Sequence, residues 1–155
     1  MASPPDFDLA AAHKYFAAHC FNKAWDLIEK PNRSAEEDRL MVALNQASLY
    51  HWMNRPDCKY ESLSIGYWQA SRIQSLLRNT AEAQRYAEVC VQYSSDLEPF
   101  YRGYAHEALA RAAFMAGNQE LGEAHVHEGR MLAGLVAEAD ERDALLKDLD
   151  TICSG

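Results

Sequence analysis

Seven side chains in this sequence are of types that could bind or transform a ligand: Trp25, His51, Trp68, Arg72, Tyr104, Glu107 and Arg111. Tyr104, Glu107 and Arg111 are spaced three and four apart, so on a helix they project from one flank, and Glu107 preceding Arg111 by four is the favoured order for a helical ion pair. Arg72, four residues after Trp68, would lie alongside them if the two segments pack as neighbours. Paired guanidiniums suit an anionic group, and aromatic walls with an orienting carboxylate would complete a pocket. The competing reading is a buried polar clamp that fixes how two helices pack. His51 shares a helical face with Leu40, Leu44 and Ala47, beside Trp52, where it would act either as a proton acceptor near neutral pH or as a satisfied core group.

Other titratable groups carry less. Glu123 and His127 stand four apart, but His125 and His127 are about 200° apart around a helix, so they do not share a metal. His13 and His19 fail in the same way. Cys20, Cys58, Cys90 and Cys153 are scattered and form no Cys-x-x-Cys pair, so neither a zinc site nor a redox motif is expected, and free thiols are. The chain has no Gly-x-Ser-x-Gly, no Walker-type lysine loop and no Gly-rich dinucleotide turn. No catalytic residue, no metal and no cofactor is therefore assigned, and a non-enzyme is favoured.

These residues must be positioned by helices, because no segment sustains the period-two alternation of a half-buried strand. The first helix is expected from Asp6 or Asp8 to about Lys30, with Leu9, Phe16, Cys20, Ala24 and Leu27 on its buried face. Ser34-Ala35-Glu36-Glu37 has the form of a capping box and opens the second, which ends at Asn54-Arg55-Pro56-Asp57. A third runs from about Tyr60 to Arg78. Asn79 caps a fourth, in which Ala83, Ala87 and Cys90 make a small-residue seam. Pro99 starts a fifth that ends near Ala116, before Gly117-Asn118. A sixth covers about Gln119 to Glu138, and Asp140 caps a short last helix facing inward through Leu145, Leu149 and Ile152.

The third and fourth helices superimpose on the fifth and sixth at an offset of about 39 residues, which places Arg72 on Arg111, Ser71 on Ala110, Ala70 on Leu109 and Asn79 on Asn118. The offset suggests a duplicated helical hairpin. These short-turn hairpins, with Ala81-Glu82-Ala83 opening a second helix, are similar to tetratricopeptide repeats. Over most of its length the chain resembles small bacterial helical proteins of tetratricopeptide-repeat-like type, on Trp25, Tyr50-His51-Trp52, Trp68 with Ser71-Arg72, and the run from Tyr104 to Ala112. The resemblance implies an all-α fold of antiparallel hairpins stacked as a right-handed superhelix of about six or seven helices. It also implies an interaction module that binds a protein or peptide partner, and it implies no chemistry. The alternative is a small-molecule-binding or catalytic pocket between the third and fifth helices.

Composition narrows the partners. A single domain over 6–152 is expected, after a disordered 1–5, since 155 residues can bury a sizeable core. The net charge of -8 opposes a phosphate-tracking surface, so nucleic acid is set aside. No run reaches the roughly 20 apolar residues of a membrane span, and Met-Ala-Ser-Pro-Pro lacks the regions of a signal peptide, so a cytoplasmic location is expected. Self-association is a third expectation, because a short superhelix leaves apolar surface at its ends.

Overall fold

A computed structural model describes residues 2–153; Met1, Ser154 and Gly155 lie outside the described residues. Among the described residues there are seven helices and no strand, so the chain is all-α. They are α1 Leu9–Glu29, α2 Ala35–Met53, α3 Tyr60–Leu76, α4 Thr80–Ser94, α5 Pro99–Met115, α6 Gln119–Ala133 and α7 Ala139–Cys153. The chain divides into two compact units, Met1–Lys59 with α1 and α2, and Tyr60–Gly155 with α3 to α7. Of the stretch expected to be disordered, Met1 lies outside the described residues, and residues 2–5 are exposed without helix or strand.

Local chemistry sets most boundaries. Asp8 caps α1 by accepting from the Ala11 N–H at 3.0 Å. Ser34 and Glu37 form the reciprocal capping box at the start of α2, with Glu37 N–H donating to Ser34 Oγ at 3.1 Å and Ser34 N–H donating to the Glu37 carboxylate at 2.9 Å. Pro99 occupies the first turn of α5, where a missing N–H costs nothing. Three expectations are corrected. Asn79 precedes α4 but makes no side-chain cap; its amide donates to Gln74 Oε1 at 2.8 Å instead. The sixth helix stops at Ala133, with Gly134 as its C-cap, five residues short of Glu138. Asp140 lies within the first turn of α7, one residue after its start, where a carboxylate still favours the helix dipole.

In the first unit the face expected on α1 is buried at Cys20 and Ala24 but not at its larger residues. Leu9 is 51% exposed and Phe16 42%, while Ala17, Cys20 and Ala24 turn inward. On α2, Met41, Asn45, Ser48 and Leu49 are buried and Leu40 is exposed. The reason is close approach: Ser48 Oγ donates to the Ala17 carbonyl at 2.7 Å, a contact that small residues at the crossing permit and a bulky stripe would prevent.

In the second unit α5 packs against α3, α4, α6 and α7. Ala105, Ala108, Ala110, Ala112 and Ala113 on α5 are all buried, so its neighbours can approach from several sides. The α4 seam of Ala83, Ala87 and Cys90 is fully buried, as expected. Burial pushes the Cys90 thiol up to about 12, so it stays protonated and inert. Cys20 and Cys58 are also free thiols; the Cys153 side chain lies outside the described residues. α7 docks through Leu145 and Leu149, both fully buried with Ala133, with Ile152 partly buried beside them.

The offset of 39 residues recurs in the turns. Arg78 has φ 63° and Gly117 φ 78°, 39 positions later, like the 39 that separate Trp68 from Glu107. After α3, Arg78 N–H donates to Ser75 O and Asn79 N–H to Gln74 O at 3.2 and 2.9 Å; after α5, Gly117 N–H donates to Phe114 O and Asn118 N–H to Ala113 O, both at 3.0 Å. Both ends therefore close through a left-handed residue that satisfies the last carbonyls. The same offset relates two side-chain pairs: Tyr67 stacks with Tyr86 at 6.0 Å, and His106 meets His125 at 5.3 Å. Gly117→Ala should cost about 1 kcal/mol, since a Cβ disfavours positive φ even with open space around it. Urea unfolding would show it as a lower midpoint at unchanged slope.

Candidate functional site

The polar cluster of the second unit is built from three helices. α5 supplies Tyr104, Glu107 and Arg111 on one flank, α3 supplies Trp68 and Arg72, and α7 adds Asp148 and Thr151. Glu107 is 1% exposed. Its two oxygens are divided between helices: Oε2 accepts from Trp68 Nε1 at 2.7 Å, and Oε1 accepts from Arg111 Nε. The far end of the same guanidinium donates from Nη2 to the Asp148 carbonyl at 3.1 Å and to Thr151 Oγ1 at 2.6 Å. Tyr104 donates to Asp148 Oδ2 at 2.8 Å, and its ring meets the Trp68 ring edge-on at 5.0 Å. Burial and the adjacent carboxylate push the Tyr104 hydroxyl far above its usual range, so it serves as a permanent donor.

Glu107 and Arg111 thus form a clamp that ties α3 to α5 to α7. Such a buried pair with all its oxygens engaged fixes packing more than it adds stability over an apolar alternative. Arg72 is different. Among the described residues no hydrogen bond or ion pair engages its guanidinium. Burial, followed by the neighbouring Arg111 charge, lowers its pKa, while Glu107 and Asp148 oppose that shift. It nevertheless remains a cation at any neutral pH.

Arg72 and Arg111 open onto a cleft of about 360 Å³. Arg78, in its left-handed conformation at the end of α3, is a third guanidinium on the rim. Leu76, Phe114, Met115 and Ile152 form the apolar wall, and Ser75 and Thr151 contribute hydroxyls. Those hydroxyls are committed: Ser75 donates to Ser71 O at 3.0 Å and Thr151 to Asp148 O at 2.7 Å.

The structure brings together five of the seven residues singled out in the sequence: Trp68, Arg72, Tyr104, Glu107 and Arg111 surround one another, and Arg72 and Arg111 line the cleft. Trp25 and His51 belong to the first unit. There, Trp25 Nε1 donates to Glu29 at 3.1 Å, and His51 Nδ1 lies 2.8 Å from His13 Nδ1, with its ring packed near Phe16 and Tyr50. Sequence reasoning missed Asp148 and Thr151, which carry no spacing signal toward α5. It also passed over Arg78, whose signal was present: the offset that pairs Asn79 with Asn118 sets Arg78 on Gly117. Of the remaining candidates, Glu123 accepts from Gln119 at 2.7 Å, His127 is exposed, and His125 turns to His106, Nδ1 to Nδ1 at 3.1 Å. No group of three metal-ligating side chains occurs among the described residues.

The histidine pairs make stability depend on pH. Burial, then the partner's charge, lowers His106, and burial lowers His125, although Glu128 opposes both shifts. His51 is lowered by burial and by His13. Because each folded pKa lies below the ordinary 6.5, the unfolded chain takes up the proton first. Their contribution is complete above that value and is lost as pH falls toward the folded pKa. The Tm should therefore drop by a few degrees between about pH 7.5 and about pH 5.5, and a His106→Gln/His125→Gln double variant should lose part of that slope in a calorimetric pH series.

No family model, curated protein or solved structure matches the chain. No helix among the described residues is long and apolar enough to cross a membrane.

Proposed function

We propose that this chain is a non-enzymatic helical binding module of the tetratricopeptide-like kind, and that its partner presents an anionic group to the cleft lined by Arg72 and Arg111. One observation carries the reading: a half-buried guanidinium without an internal partner stands beside a second one that is locked in place, at the mouth of a cleft. Glu107 and Asp148 offset the Arg72 charge through space but without a hydrogen bond, and an anionic ligand bonded to the guanidinium would remove the remaining cost of its burial. Binding is favoured over catalysis because the cationic groups facing the cleft are guanidiniums, which neither give nor take a proton at neutral pH. The earlier expectation of a protein or peptide partner stays within this reading, as does a small-molecule ligand. Self-association and a cytoplasmic setting are part of the same proposal and rest on the sequence alone.

Thermal melts of the wild type and Arg72→Gln in sulfate, inorganic phosphate, octanoate and a peptide with a free C-terminus test the reading. At least one anion should raise the Tm of the wild type and leave the variant unmoved. If every anion shifts both proteins equally, the cleft is not a receptor.

A further inference from the structure

The geometry points to a specific ligand for this cleft: a small apolar monocarboxylate, a free acid of medium chain length, held by Arg72 and Arg78 with its hydrocarbon body on the apolar wall. The inference rests on the cleft being a binding site at all, and adds what it binds.

Charge selects a monoanion. Three guanidiniums, Arg72, Arg78 and Arg111, stand against two carboxylates, Glu107 and Asp148, which leaves one positive charge for a ligand to meet. A carboxylate meets it, whereas a phosphate monoester near its second ionisation would overshoot. The chain's net charge of -8 penalises any surplus.

Size and wall chemistry select the rest of the molecule. At about 360 Å³ the cleft sits near the lower end of ligand pockets, which run from about 300 to 1,000 Å³, so it fits a small acid better than a nucleotide. Leu76, Phe114, Met115 and Ile152 offer hydrocarbon and an aromatic ring. The hydroxyl protons of Ser75 and Thr151 are spent on main-chain carbonyls, so neither donates a hydrogen bond to a ligand and the guanidiniums are the donors the cleft offers.

Backbone conformation singles out Arg78. The two hairpins close through the same left-handed turn, yet one copy uses glycine and the other holds an arginine at φ 63°. A side chain there is strained, and strain kept at one copy only points to use at that copy. Arg78 is also exposed, so no packing explains it.

Calorimetric titration with butanoate, octanoate and inorganic phosphate, on the wild type, Arg72→Gln and Arg78→Gly, tests this. Octanoate should bind, butanoate about 250-fold more weakly at roughly fourfold for each of the four missing methylenes, and phosphate not measurably. Arg72→Gln should weaken octanoate by about tenfold or more. Arg78→Gly should raise the Tm by relieving strain and still weaken octanoate, a combination that a purely structural arginine would not produce. Phosphate binding as tightly as octanoate, or butanoate matching octanoate, would overturn the ligand class while leaving the cleft an anion receptor. An N-acetylated peptide with an apolar C-terminal residue binding more tightly than octanoate would overturn the free acid in favour of a chain terminus. Equal octanoate binding by wild type and both variants would overturn the site, and no binding of any anion would sink the underlying reading as well.

Discussion

Glu107→Ala should destabilise the second unit by about 3–5 kcal/mol, the usual penalty for removing one partner of a buried ion pair. The cost lies in the groups left behind. Arg111 has a side chain only 12% exposed, and without Glu107 its Nε–H loses its acceptor. The Trp68 indole N–H loses its 2.7 Å acceptor in the same step. Glu107→Gln keeps the shape and an acceptor oxygen but not the charge, so its cost should fall to about 1–3 kcal/mol. Urea unfolding of both variants, followed by circular dichroism, measures the difference. A cycle with Trp68→Phe then isolates the indole bond from the ion pair, and a coupling energy near zero would show that the indole bond adds nothing to the clamp. A Glu107→Ala cost below about 1 kcal/mol would mean that water enters and repairs the clamp.

Leu149→Ala is expected to cost about 3 kcal/mol, within the range for truncating a fully buried leucine. Leu149 is fully buried and lies against Gly129, where an added Cβ would sit 3.0 Å from its Cδ2. The void left by truncation therefore borders a backbone with no side chain to fall into it. The consequence reaches the polar cluster: α7 also carries Asp148 and Thr151, which hold the outer end of Arg111. Loosening α7 should raise amide hydrogen exchange along it before the remaining helices unfold. Truncation of the exposed Leu121 serves as the control and should stay within about 0.5 kcal/mol of the wild type.

How much of this was legible in the sequence depended on whether one residue type could decide a position. Ser34 and Glu37 have one good use at a helix start, and the box formed. Ala83, Ala87 and Cys90 permit close approach wherever they face, and they are the buried seam of α4. Glu107 and Arg111 pair within one helix, so spacing alone located the bond. Faces rich in both alanine and aromatics were not legible. On α1 the expected stripe is buried at Cys20 and Ala24, whereas Leu9 and Phe16 of that stripe are exposed and Ala17 is buried in their place, because the helix crossing admits small residues. On α2, Met41 and Ser48 won over Leu40 for the same reason. The candidate site was half legible: its α5 and α3 residues followed from local spacing and the offset of 39, whereas α7 reaches it through a tertiary fold-back that no short-range pattern encodes.

The recurrence of the left-handed turn has a consequence for how such a chain can lengthen. A second copy of residues 80–118 placed after Asn118 would begin at a helix start and end on a turn that already launches one, so it would bring its own seam and its own closure. Growth by that whole step keeps helix starts and turns in phase, while an insertion inside a helix turns every later side chain about the axis by about 100° per residue. A step of 39 residues is therefore the one that carries a helix start, a seam and a closing turn together, whereas shorter changes are confined to the connections between helices.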